Sequence, residues 1–125
     1  MISTPADLPM SAPELKTDTV RVGDAVVCVL SGDLHIGTQA IGDQALSEAL
    51  RYGPALLAVD LDAVELFTAE GLNLLLALQE TTRARGVPLV LISPSAAVRR
   101  VLDISAATQT FTIHSTIADA TAGYR

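Results

Sequence analysis

Lysine is nearly missing from this chain. Lys16 is the only one, and eight basic residues face fourteen acidic ones for a formal charge of −6. A protein that holds nucleic acid needs cations to neutralise a row of phosphates. The arginines here are dispersed, with pairs only at Arg83/Arg85 and Arg99/Arg100, so nucleic acid is not an expected partner. Tryptophan is absent, and the aromatics are Tyr52, Tyr124, Phe67 and Phe111. The core must therefore be built from Val, Leu, Ile and Ala. Cys28 is the lone cysteine, which rules out an intrachain disulfide and gives no reason to expect an oxidising compartment. The opening residues, "MISTPADLPMSAPELK", lack the basic start and apolar stretch of a signal peptide. No apolar run approaches the roughly 18 residues of a membrane helix. A cytoplasmic protein without membrane insertion is the expectation.

What is present is apolar and regularly patterned. Half of the 125 residues are hydrophobic, enough for one well-buried domain and too little chain for two. Residues 1–17 carry Pro5, Pro9 and Pro13 among small polar residues and read as a flexible tail, leaving a domain over 18–125. "TVRV" and "AVVCVL", separated by Gly23-Asp24, form a hairpin signal. After the loop Ser31–Thr38, in which Thr38 is a candidate helix cap, apolar residues Ile41, Ala45, Leu46, Ala49 and Leu50 recur at helical spacing up to Gly53-Pro54. "ALLAVDL" and "VPLVLIS" are continuous apolar runs of the kind found in strands covered on both faces. Between them lies a leucine-rich helix over Glu70–Arg85, stopped by Gly86. Ser93-Pro94 reads as the cap and first residue of a third helix, "TFTIH" as a last strand, and Ser115 as the cap of a final helix. The order β-β-α-β-α-β-α-β-α predicts an α/β fold: a mixed sheet opened by a hairpin, with helices packed against it.

A search for chemistry returns little. Asp60, Asp62 and Glu65 read as acids at a strand end and in the turn after it. His35 and His114 stand far apart, with no Cys or carboxylate at ligand spacing, so no metal and no cofactor is expected. There is no Gly-x-Ser-x-Gly elbow, and Cys28 sits inside an apolar run as a packing thiol. Neither "LFTAEGLN" nor "SGDLHIGT" has the glycines of a phosphate cradle. A phospho-receiver reading fails as well, because no acidic pair follows the opening strands and Lys16 lies near the N-terminus. The chain is not expected to be an enzyme.

Four segments in order, "VVCVLSGDL", "LLAVDLDAVELFTAEGLNLLL", "ARGVPLVLIS" and "SAAVRRVLDIS", resemble the STAS domain, and in particular bacterial anti-sigma factor antagonists. The resemblance spans roughly residues 18–125. It implies a STAS-like sheet and a protein-binding module in a partner-switching pathway of transcription regulation. Such a module captures an anti-sigma factor, often of serine-kinase fold, and frees a sigma factor. In that family the kinase disables its antagonist by phosphorylating the first hydroxyl residue of an Asp-Ser-Ser/Thr-Gly motif. The phosphate adds about −1.5 to −2 charges to the interface.

Alignment on Gly71 puts Thr68 at the motif's aspartate, Ala69 at the phosphoacceptor and Glu70 at the following hydroxyl position. Ala69 cannot be phosphorylated. Gly32, Asp33 and Leu34 match the first loop, but His35 replaces its final aspartate, and Ala106 stands where glycine is usual. The resemblance thus implies a partner-binding loop of Thr68, Ala69, Glu70, Gly71, Asp33 and His35 without the usual switch. Thr68 is a displaced acceptor or, more simply, an N-cap whose hydroxyl bonds a backbone N–H. Glu70 is a standing negative charge or simply an acid favoured by the helix dipole. Phe67 is expected in the core. The alternative function is an accessory STAS subunit of a transporter or stressosome-like assembly. An enzyme or small-ligand sensor ranks below both.

Overall fold

The computed structural model describes residues 14–122. Strands β1 (Leu15–Val22) and β2 (Ala25–Leu34) form the antiparallel hairpin expected around Gly23-Asp24. Helix α1 (Gln39–Arg51), strand β3 (Leu56–Phe67), helix α2 (Ala69–Arg85), strand β4 (Leu89–Ile92) and helix α3 (Ala96–Ile104) follow. A 3₁₀ turn at Thr108–Thr110, strand β5 (Thr112–His114) and helix α4 (Ile117–Ala122) complete the order. The sheet runs β1-β2-β3-β4-β5, with only the first pairing antiparallel. This is the mixed α/β sheet that the order of segments predicts.

Alternation along the central strands divides the core. Val26, Cys28, Leu30, Leu57, Val59 and Leu91 point to the side of α1, α2 and α3, where Leu46, Leu75, Val98 and Leu102 close over them. Ala25, Val27, Leu56, Ala58, Val90 and Ile92 point the other way, into a smaller cluster capped by Ala120 and Ile117 of α4. Strands buried on both faces read as continuous apolar runs because both faces need covering. In α1 the buried residues are Gly42, Leu46, Ala49 and Leu50, whereas Ile41 is exposed.

Several local expectations need correction. β1 begins at Leu15, which is fully buried, so 15–17 belong to the first strand and not to a tail; residues 1–13 lie outside the described residues. β3 runs on through Phe67, and Asp62 and Glu65 therefore lie on a strand, not in a turn. Its pairing with β2 shifts register between Val29 and Ser31 and again between Gly32 and Asp33. These irregularities space the buried residues Leu61, Val64 and Phe67 three apart, so period-two alternation is lost. The cap of α3 is Ser95, whose hydroxyl accepts from the Val98 N–H at 3.3 Å. Ser93 is instead a turn residue at φ 48° whose hydroxyl donates to Asp62 Oδ1. Thr116, not Ser115, accepts from the Asp119 N–H at the start of α4.

Candidate functional site

In a parallel sheet the strand ends that feed helices gather along one edge, and loops there are positioned by a rigid scaffold. Here β2 and β3 end side by side, with Leu34 opposite Phe67. The Thr68 N–H donates to the Leu34 carbonyl at 3.1 Å, and the Thr68 hydroxyl lies 3.2 Å from the same oxygen. The fold thereby brings the loop of Asp33 and His35 against the junction of Thr68, Ala69, Glu70 and Gly71. The six residues singled out in the sequence share one edge of the sheet.

Two glycines make this junction possible. Gly32 has φ 109°, and a Cβ there would collide with the Glu14 carbonyl oxygen. That oxygen accepts from the Asp33 N–H at 2.8 Å, tying the start of β1 to the loop. Gly71 lies against the Phe67 ring, where a Cβ would sit 2.6 Å from Cε1. Phe67 is buried, as expected, and wedges under the first turn of α2.

Thr68 occupies the N-cap position of α2, but its hydroxyl makes no capping bond. Its single proton faces two acceptors instead, Leu34 O and, nearer at 2.8 Å, Glu70 Oε1. The carboxylate is thus held over the helix start, where an anion is favoured by the dipole. Ala69, the first residue of α2, is exposed. Thr38 also differs from a plain cap: its hydroxyl accepts from the His35 N–H at 3.1 Å and donates to Asp33 O at 2.7 Å. These bonds fold the loop back on itself.

The neighbourhood of His35 was not legible in the sequence. Glu14, Asp33 and His35 come together, their potential ligand atoms within 4.8 Å of one another, so the expectation of no carboxylate at ligand spacing to either histidine fails at His35: Asp33 lies two residues before it, and the hairpin register adds Glu14. The imidazole has a defined arrangement. Nδ1 accepts from the Gly37 N–H at 2.9 Å, and Nε2 meets Glu14 Oε1. A ring whose Nδ1 faces a donor carries its proton on Nε2, the nitrogen aimed at Glu14. That arrangement sets the ring for a clasp to Glu14.

An open cavity of about 590 Å³ lies at the far end of the sheet, lined by Val22, Asp24, Ala25, Leu56, Ala118 and Thr121 among others. Asp24 is the only ionisable side chain among its described lining residues. It lies away from the loops described above. No helix of the described residues is long and apolar enough to cross a membrane.

A five-stranded sheet opened by a hairpin, with two loops paired at the ends of β2 and β3, is the arrangement of a STAS domain. The STAS domain pattern matches residues 16–120, and the chain belongs to that family. Over 117 residues it is 32% identical to the anti-sigma-F factor antagonist RsfB of Mycobacterium tuberculosis, covering 93% of this chain and 95% of the relative. It is also similar to the crystal structure of an anti-sigma factor antagonist from Mycobacterium paratuberculosis, with 25% identity, a TM-score of 0.78, and coverage of 90% of this chain and 96% of that one. The unphosphorylated form of the antagonist SpoIIAA shares the fold at 17% identity and a TM-score of 0.71, covering 86% of this chain and 96% of that one.

Proposed function

We propose that this chain is an anti-sigma factor antagonist, a binding protein without catalytic activity of its own that captures an anti-sigma factor and so releases a sigma factor. The observation that carries the reading is the 32% identity over nearly the whole length of both chains to a protein named for that role. The paired loops at the ends of β2 and β3 are the partner surface in this reading, with Thr68, Ala69, Glu70, Gly71, Asp33 and His35 at its centre. Ala69 offers no hydroxyl, and the Thr68 hydroxyl is engaged with Leu34 and Glu70. Capture is therefore unswitched by phosphorylation at this site, even where the partner is a kinase.

The test is capture of partners from the native cytoplasm on the full chain, with and without ATP and Mg²⁺, followed by mass spectrometry of the peptide containing Thr68. An anti-sigma factor retained under both conditions with Thr68 unmodified is the expected result. Release by ATP with phosphate on Thr68 would overturn the unswitched reading. Recovery of transporter or scaffold subunits alone would replace the antagonist role with that of an accessory subunit.

A further inference from the structure

The edge of the sheet that carries the paired loops combines exposed apolar side chains with carboxylates that lack a cation. Ile36, in the β2–α1 loop, is 76% exposed, and Leu66, opposite Asp33 at the end of β3, is 45% exposed. Ala69 is exposed beside them in sequence and loop pairing. Asp33, Glu65 and Glu70 belong to the same two junctions, and among the described residues no Lys, Arg or His nitrogen lies within 4 Å of their carboxylates. Glu14 adds a further acid, clasped to His35. Lys16, opposite Ser31 on β1, is a cation at this end, and Arg99 and Arg100 lie exposed on α3. Arg21 is next to the hairpin turn, Arg51 ends α1, and Arg83 and Arg85 end α2. Both helices start at the loop edge and run about 20 and 25 Å from it at 1.5 Å per residue, so those four arginines mark the opposite end. Asp24, Glu48 and Glu80, the last paired with Arg83, lie toward that far end too, so acids outnumber cations at the loop edge and not at the opposite one.

Exposed aliphatic side chains and acids without a nearby cation, carried by the same two junctions, are complementary to one chemistry: an apolar recess bordered by Arg and Lys. We propose that the partner docks such a basic-rimmed recess onto Ile36 and Leu66, with Asp33 and Glu65 meeting its cations. The proposal rests on the antagonist reading for the kind of partner and adds the surface by which that partner is chosen. The aliphatic pair supplies the lifetime of the complex. The acids supply its rate of formation, because charges at an interface rim act chiefly on encounter.

Stopped-flow association with the captured anti-sigma factor, at about 50 and about 500 mM salt, tests this. The association rate should fall about tenfold or more across that range. The double variant Asp33→Asn/Glu65→Gln should associate several-fold more slowly at low salt and lose most of the salt dependence, with little change in dissociation. Ile36→Ser should dissociate at least about tenfold faster at an unchanged association rate. Thermal melts of each variant separate these effects from unfolding. A complex whose association ignores both salt and the double variant would overturn the proposal while leaving the antagonist reading intact. Failure to capture any anti-sigma factor would overturn the antagonist reading, and the proposal with it. Self-association at low salt, abolished by the double variant, would replace the partner with a second copy whose arginine-bearing end meets this acidic one.

Discussion

Ala106 follows α3 with φ 59°, a conformation that costs an L-residue roughly 1–2 kcal/mol and glycine nothing comparable. It is also the position at which STAS relatives were expected to carry glycine, so the departure from pattern has a local energetic cost. Ala106→Gly should stabilise the protein by about 1 kcal/mol, the strain relieved exceeding the added freedom of the unfolded chain; urea melts would measure it. Ala69 presents the complementary case. Exposed at the first position of α2, it has no hydroxyl, and Ala69→Ser should supply a phosphoacceptor. With a kinase-type partner, ATP would then place phosphate there and dissociate the complex, detected by a mass increase and loss of co-elution; persistence of the complex on the phosphorylated variant would exclude charge as the switch. Cys28 is a free thiol buried in the sheet. Burial first, and then the charge of Asp18, push its thiol from an ordinary 9.0 up to about 11. Because the folded state holds the proton more tightly, this contribution is intact below pH 9 and declines by up to roughly 3 kcal/mol as pH rises to about 11. Cys28→Ala should flatten the alkaline slope of stability in denaturant titrations across that window.

At the scale of elements, Ser95 shows what a cap contributes. It accepts from Val98, and Val98 with Leu102 buries the inner side of α3 against the sheet. Ser95→Ala should cost about 1 kcal/mol in thermal or urea melts, whereas Ser93→Ala, which removes only a bond to exposed Asp62, should cost less. The sequence pointed to Ser93 because a proline follows it, and proline after a cap is common at helix starts. Ser93 proved to be a turn residue, and the helix opens two positions later. Strand order and helix identity were otherwise legible, because continuous apolar runs such as "LLAVDL" and stops such as Gly53-Pro54 carry strong local signals. The second half of β3 was not, since two register shifts broke the alternation by which strands are read. The Thr68–Gly71 junction was legible from its place between strand and helix. The clasp of His35 to Glu14 was hidden, because 21 residues separate them and only the hairpin register brings them together.

For the molecule as a whole, the unequal lengths of neighbouring strands are decisive. β3 is twelve residues long, but β4 pairs only with Leu57–Asp60, so the stretch from Asp62 to Phe67 relies on β2 alone for its ladder. The loop-bearing end of the sheet narrows from five strands to three, with Ser31 and Gly32 of β2 paired to Lys16 and Leu15 of β1 on one side and to Ala63 and Val64 of β3 on the other, and a narrower sheet has fewer ladders to hold it. Amide hydrogen exchange should record this as a gradient within a single strand. Val59 would approach the protection of global unfolding, and the amides beyond Asp62 would exchange through smaller local openings. A partner seated on that end would slow exchange there and leave the base unchanged. A captured complex with uniform protection along β3 before and after binding would contradict this picture. The twelve-residue strand therefore serves as a built-in reporter: its anchored half gives the reference rate against which occupancy of the other half is read.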